Sequence, residues 1–154
     1  MIIYDTYDLL NKSVLIAMKD QALVYIGSPL EGLSHMLNDL KLKDEDVVAG
    51  DLKEMKLHLD SYMSGDLKTF DIEVQFLGGT SFQRSVWQAI ASIPYGSIVT
   101  YSDVAEMIGN PKAIRAVASA IGHNPIMIVV PCHRINGKDG SLRGFRGGLD
   151  LKFH

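Results

Sequence analysis

A mixed α/β protein in two parts is the fold class this sequence predicts, and three observations predict it. Short β-branched and aromatic runs crowd the first 27 residues. Apolar residues then recur at helical spacing through most of the remaining chain. Gly78-Gly79 separates an acidic stretch from a basic one. Residues 1–78 carry 7 Lys/Arg against 14 Asp/Glu, a net of −7. Residues 79–154 carry 8 against 4, a net of +4. The expected domains are a small N-terminal α/β unit over 1–78 and a mainly helical C-terminal unit over 79–154.

Composition narrows the function classes. With 154 residues, 47% of them hydrophobic, the chain can bury one substantial core or two small ones. It lacks any run of about 18 apolar residues, so no membrane span is expected. The first ten residues, MIIYDTYDLL, hold acids where a signal peptide needs bases. A cytoplasmic location, or a nuclear one in a eukaryote, is the expectation. A single cysteine forms no internal disulfide and argues against a thiolate zinc site. No metal and no cofactor are expected. The overall charge of −3 speaks against nucleic acid as a partner, yet the basic C-terminal half permits it.

Each element has its own justification. Residues 2–7, 14–19 and 22–26 read as strands, with Asn11-Lys12 and Asp20-Gln21 as turns, and together as an antiparallel meander. Leu30, Leu33, Leu37 and Leu40 predict a helix over 29–40. Leu52, Met55, Leu59, Tyr62 and Met63 predict another over 52–63, stopped by Ser64-Gly65-Asp66. Residues 70–77 read as extended. Thr80-Ser81-Phe82-Gln83 is a capping box opening a helix with Phe82, Val86 and Ile90 on one side.

Two short helices come next, over 102–108 and 112–121. Gly109 separates them, with Asn110 as the second helix's cap and Pro111 at its first position. Such a pair resembles a helix-turn-helix, although many helical pairs bind nothing. Ala113, Ala116, Ala118, Ser119 and Ala120 keep the second helix small enough to approach another backbone or a groove closely. Arg115 stands out from that surface, either as a solvated charge or as a side chain that reaches into a duplex.

The apolar run 126–130 reads as a buried strand or extended core segment. It leads into Pro131-Cys132-His133-Arg134. A lone cysteine is often inert and buried. His133 and Arg134 instead favour thiolate, which is the nucleophilic form. Adjacent side chains of an extended chain point to opposite faces, so a water would relay a proton between Cys132 and His133. The residues alone leave both readings of Cys132 open. The Gly-rich basic stretch 136–148, with Phe145 as a stacking surface, is either a ligand loop or a bland surface loop.

Taken together, the motifs resemble the O6-alkylguanine-DNA alkyltransferases, the methylated-DNA–protein-cysteine methyltransferases. The resemblance rests on Pro131-Cys132-His133-Arg134-Ile135, Tyr95-Gly96, Thr100-Tyr101, the run from Gly109 through Val117, and Asn124-Pro125, in that order and spacing over about 82–152. It implies a ribonuclease-H-like cap over 1–78 and a winged helix-turn-helix unit after it. It also implies DNA repair by direct reversal, as a monomer acting on double-stranded DNA that carries O6-alkylguanine. The damaged base is flipped out of the stack. Its alkyl group passes once and irreversibly from O6 of guanine, or O4 of thymine, to Cys132.

The same resemblance assigns roles. Cys132, His133 and Tyr101 are implied as catalytic. Arg115, Ala116, Ser102, Lys112, Ala113 and Ser119 are implied as DNA-binding. Tyr101, Asn124, Pro131, Phe145, Arg146 and Gly147 are implied to line the substrate pocket, with Asn124 and Arg134 supporting the site. Ala118-Ser119 stands where the family usually has Gly-Gly, and Phe145 where some members carry Tyr. The family also places a Glu about ten residues after 147–149 to orient the histidine. The sequence stops at His154, so the expectation is slow transfer at pH 7 that quickens toward pH 9. The alternative is a lesion-binding protein with little transfer activity.

Overall fold

The computed structural model describes residues 1–67, 72–94, 96–130 and 135–136. The expected meander is present. Strands β1 (Ile2–Leu9), β2 (Lys12–Lys19) and β3 (Ala22–Ile26) pair antiparallel in sequence order. The first turn is Leu10-Asn11, one residue earlier than expected, and both residues have positive φ, 51° and 66°. That is the two-residue turn whose twist matches a hairpin's strands. Asn tolerates the conformation and Leu does not, which is why the sequence pointed to the wrong pair.

Helix α1 covers Leu33–Leu40, four residues shorter at its start than the leucine spacing predicted. Gly32 is its N-cap, and Leu30 ahead of it is 84% exposed, so the spacing there reflected no buried face. A short turn then leads to β4 (Val47–Ala49), which pairs parallel with β1 and was not foreseen. Three residues are too few for periodicity to register. The sheet order is β3-β2-β1-β4.

Both faces of this sheet are covered. Ile2, Leu15, Ala17, Val24 and Tyr25 pack with Met36 and Leu40 of α1. Tyr7, Leu9, Val14, Ile16, Leu23 and Ile26 face the opposite way, onto α2 (Lys53–Met63) and the residues beyond Gly79. This larger core crosses the Gly78-Gly79 boundary without a break, taking in Trp87, Ile90, Val117, Ile121 and Ile126. Gly79 has φ +87°, and a Cβ there would meet the Trp87 ring at 2.6 Å, so only glycine fits this crossing.

The expected capping box opens helix α3 (Ser81–Ala91). Gln83 N donates to Thr80 Oγ1 at 3.1 Å, and Thr80 N donates to Gln83 Oε1 at 2.9 Å. A second box, Thr100 with Asp103, opens α4 (Tyr101–Met107). Gly109, with φ +76°, closes α4: its amide donates to Glu106 O and that of Asn110 to Ala105 O. This pair of bonds satisfies the last carbonyls and requires a left-handed residue.

Helix α5 covers Ile114–Gly122, beginning two residues later than expected. Its N-cap is Ala113, not Asn110. Asn110 and Pro111 form a turn instead, closed by Ala113 N donating to Asn110 O at 3.0 Å. A two-residue sheet, β5 (Val99–Thr100) parallel to β6 (Ile135–Asn136), completes the described elements.

Asp5 ties β1 to α2. Its carboxylate accepts from Leu52 N at the helix start, 3.0 Å, and from Lys56 Nζ at 2.8 Å. Burial would raise the carboxyl's pKa, but the bonds from Lys56, Leu52 N and Thr6 N hold it below its ordinary 3.8. A lowered folded pKa stabilises the fold at neutral pH, and that stability is lost as pH falls through the folded value. Asp5→Ala should therefore cost about 1 kcal/mol at pH 7. Urea unfolding midpoints of the two proteins should converge once the pH drops well below 3.8.

Candidate active site

Four residues of the predicted signature, Pro131, Cys132, His133 and Arg134, lie outside the described residues, as do Phe145, Arg146 and Gly147. Their flanks are described on both sides, and both flanks are anchored. Ahead of them, Asn124 is fully buried. Its side-chain amide donates to Val130 O at 2.8 Å, and its Oδ1 accepts from Ile126 N at 3.0 Å. One side chain thus spans the segment that leads into Pro131. Behind them, Ile135 pairs with Val99 and Asn136 with Thr100. Thr100 is the N-cap of α4, and Tyr101 follows it directly.

The segment 126–130 is buried, as its hydrophobicity predicted, but it is not a strand. Only Ile126 makes a sheet bridge, with Ile26. Val130 N donates to Ile126 O at 3.0 Å, and Val129 N donates to Met127 O at 2.8 Å. The central residue of the second turn, Ile128, has φ +73°. A three-residue turn with positive φ is rare and strained, and more so for a β-branched residue.

Tyr101 sits at the first turn of α4 and is only 5% exposed. Ser102 beside it is half-buried. On α5 and its approach, Lys112, Arg115, Ala116 and Ser119 are exposed, while Ala113 is half-buried and Val117, Ala120 and Ile121 face the core. Of the predicted DNA-facing residues, Arg115, Ala116 and Ser119 are exposed on α5 and Lys112 just ahead of it, whereas Ser102 lies on α4. Small side chains on α5 leave Lys112, Ile114 and Arg115 as the projecting groups.

Two participants were missed by sequence reasoning. Trp87, the only tryptophan, donates its indole N–H to Ala120 O at 2.7 Å and so ties α3 to the last turn of α5. A lone Trp beside a capping box was the available signal. Ile26 holds the other end: its amide donates to Pro125 O at 2.9 Å, and its carbonyl accepts from Met127 N at 3.0 Å. No sequence signal marks a backbone contact of this kind. Among the described residues, no group of three or more His, Cys, Asp or Glu is placed to hold a metal ion.

The family model for 6-O-methylguanine DNA methyltransferase, DNA binding domain, matches residues 81–154. The inducible methylated-DNA–protein-cysteine methyltransferase of Bacillus subtilis is 41% identical over 145 residues, covering 89% of this chain and 78% of that protein. The chain belongs to the methylated-DNA–protein-cysteine methyltransferase family. A further member, from Methanosarcina mazei, is 44% identical over 135 residues, covering 84% of this chain and 85% of its own. Among solved structures, Mycobacterium tuberculosis OGT in complex with DNA superposes with a TM-score of 0.80 at 35% identity. That match covers 94% of this chain and 84% of the other.

Within this methyltransferase chain, Asn124 is the described residue with the most at stake. Asn124→Ala would leave Val130 O and Ile126 N buried without the partner each has now. Each such group costs about 1–3 kcal/mol. The expected loss is about 2–5 kcal/mol in urea unfolding, with Asn124→Asp recovering only part of it because a carboxylate cannot donate to Val130 O.

Proposed function

We propose that this chain repairs alkylated DNA by direct reversal, moving an alkyl group from O6 of guanine to Cys132 in a single irreversible turnover. The observation that carries the reading is the near full-length likeness to a protein named as a methylated-DNA–protein-cysteine methyltransferase, in a chain whose one thiol follows the Asn124-anchored turn. A lesion binder without transfer is not favoured, because the thiol is present and the relatives are named for transfer.

The chemistry assigns one task to each residue. The target carbon cannot be reached inside a base stack, so the guanine is extruded. Cys132 loses its proton to His133 through a water. The thiolate then attacks the alkyl carbon in line with the C–O6 bond. An S–C bond forms, the C–O6 bond breaks, and its electron pair stays with guanine. Tyr101 donates a hydrogen bond or proton to the leaving base. Arg115 occupies the space the base leaves. Lys112, Ala113, Ala116, Ser119 and Ser102 lie against the duplex. Asn124, Pro131, Phe145, Arg146 and Gly147 line the pocket, with Arg134 supporting it. The thioether has no leaving group of low pKa, so the product persists.

In finer fold terms, the same reading makes 1–78 a ribonuclease-H-like cap and 79–154 a winged helix-turn-helix unit, with α5 as the recognition helix. The exposed stripe of small residues with Lys112 and Arg115 supports this, as does the net +4 of the C-terminal half. Phosphate contacts draw on such local charge.

Two measurements test the function. Intact mass after incubation with a duplex containing O6-methylguanine should rise by one methyl per chain, located on Cys132 by peptide mapping. Cys132→Ala should bind the same duplex and gain nothing; a methyl mapped elsewhere overturns the assignment. Arg115→Ala should slow reaction with duplex by about tenfold or more, since an unstacked base must be held out at a cost of a few kcal/mol. Its reaction with free O6-methylguanine should barely change. Equal losses on both substrates would remove Arg115 from the flipping role.

A further inference from the structure

The first unit's sheet does more than shield the second unit's core. Strand β3 lies at one edge of its sheet, and its outer side is used twice. Leu23 N donates to Glu73 O at 2.8 Å, and Gln75 N donates to Leu23 O at 3.0 Å, which tethers the chain on its way to Gly78. Three residues along, Ile26 exchanges two bonds with Pro125 and Met127. An amide has one N–H, and that of Ile26 points away from β2 and into the other unit. These bonds bracket Ile126, at the start of the turn segment. Ile26, Ile126, Met127 and Val130 are fully buried, and Ile128 is 2% exposed, so water cannot replace the bonds.

The turn they enter is strained. Ile128 has φ +73°, a conformation that a β-branched residue adopts only when its surroundings over-determine it. Two sets of bonds do so. The Asn124 side chain bonds Ile126 N and Val130 O, and the Ile26 backbone bonds Pro125 O and Met127 N. The first belongs to the same segment. The second is supplied by the N-terminal unit. Cys132 follows Val130 by two residues, so the direction in which the chain leaves this turn sets where the thiol starts. In-line displacement at carbon tolerates little misplacement, and a 1 Å error can cost about a hundredfold in rate.

We propose that Ile26 is a positioning residue for alkyl transfer: its backbone holds the strained turn at Ile128 and thereby aims the segment that carries Cys132. The N-terminal unit then contributes to the rate of the chemical step, through a strand that belongs to neither the helix-turn-helix nor the thiol motif. This inference rests on the transfer reading above.

The test uses the full chain and a duplex containing O6-methylguanine. Ile26→Pro deletes the amide that bonds Pro125 O and breaks no bond to β2. A gentler second variant replaces the Met127 amide by an ester, which removes one N–H and no side chain and only weakens Ile126 O as the acceptor from Val130 N. Met36→Ala, in the other core on the far face of the sheet, serves as a control of comparable instability. Single-turnover rates at saturating duplex are read by intact mass. Dissociation constants are read on the unmodified duplex. Both backbone variants should lose about tenfold to a hundredfold in transfer rate, with dissociation constants within about threefold of the parent, because the outer side of α5 is untouched. Met36→Ala, studied where it is folded, should transfer at the parent rate. If the ester variant transfers at the parent rate, or if Met36→Ala slows as much as the others, Ile26 has no positioning role. A parent chain that gains no methyl at all would instead overturn the transfer reading.

Discussion

The segment that leads into Pro131 depends on how a buried, irregular stretch of chain satisfies its own backbone. Residues 124–130 lie in the core but form neither helix nor strand, so regular ladders cannot pair their amides and carbonyls. The Asn124 side chain supplies one donor and one acceptor in the same direction, and it fits between Ile126 N and Val130 O. Among side chains of that size only asparagine, or aspartic acid in its protonated form, carries the donor and the acceptor on two separate atoms. Pro125 O and Met127 N are met from outside by Ile26, and Ile126 O and Met127 O from within by two tight turns.

That constraint explains why the two parts of the chain share a core. A segment anchored at Ile26 must lie against β3, and helix α5, which ends one residue before His123, must end beside the same place. The indole of Trp87 fixes that end by bonding Ala120 O. Helix α3 therefore packs against α5, with Val86 and Ile90 in the common core and Gly79 kept bare so that the Trp87 ring fits. The charged and small residues of α5 are left on its outer side because the core has claimed Val117, Ala120 and Ile121.

The local chemistry of the chain ends of these elements is consistent with the same arrangement. Capping boxes at Thr80 and Thr100 start α3 and α4 where the sheet crossing and the β5–β6 pair need them. Gly109 ends α4 with two bonds that only a left-handed residue permits, which sets the angle at which α5 departs. Tyr101 is thereby buried at the first turn of α4, one residue from the strand that pairs with Ile135 and Asn136.

The sequence by itself determined whatever depends on neighbours in the chain. β-Branched and aromatic runs between turn residues located β1 to β3. The Thr80-Gln83 box opened α3 to the residue, because its two bonds close within three positions. Apolar spacing found α2, and start and stop residues found α4 and α5, each to within a residue or two. The motif order identified the family and named Cys132. Tertiary structure decided what local patterning cannot encode. Leu30, at helical spacing ahead of α1, stayed outside it, since spacing does not say whether a buried face exists. Strand β4 was too short to register. The run 126–130 looked like a strand because burial alone makes any segment apolar. Its actual shape, a strained turn at Ile128, is set by an amide and a carbonyl that lie about a hundred residues away at Ile26. Backbone groups are the same in every residue, so no choice of side chain at either position announces that bond.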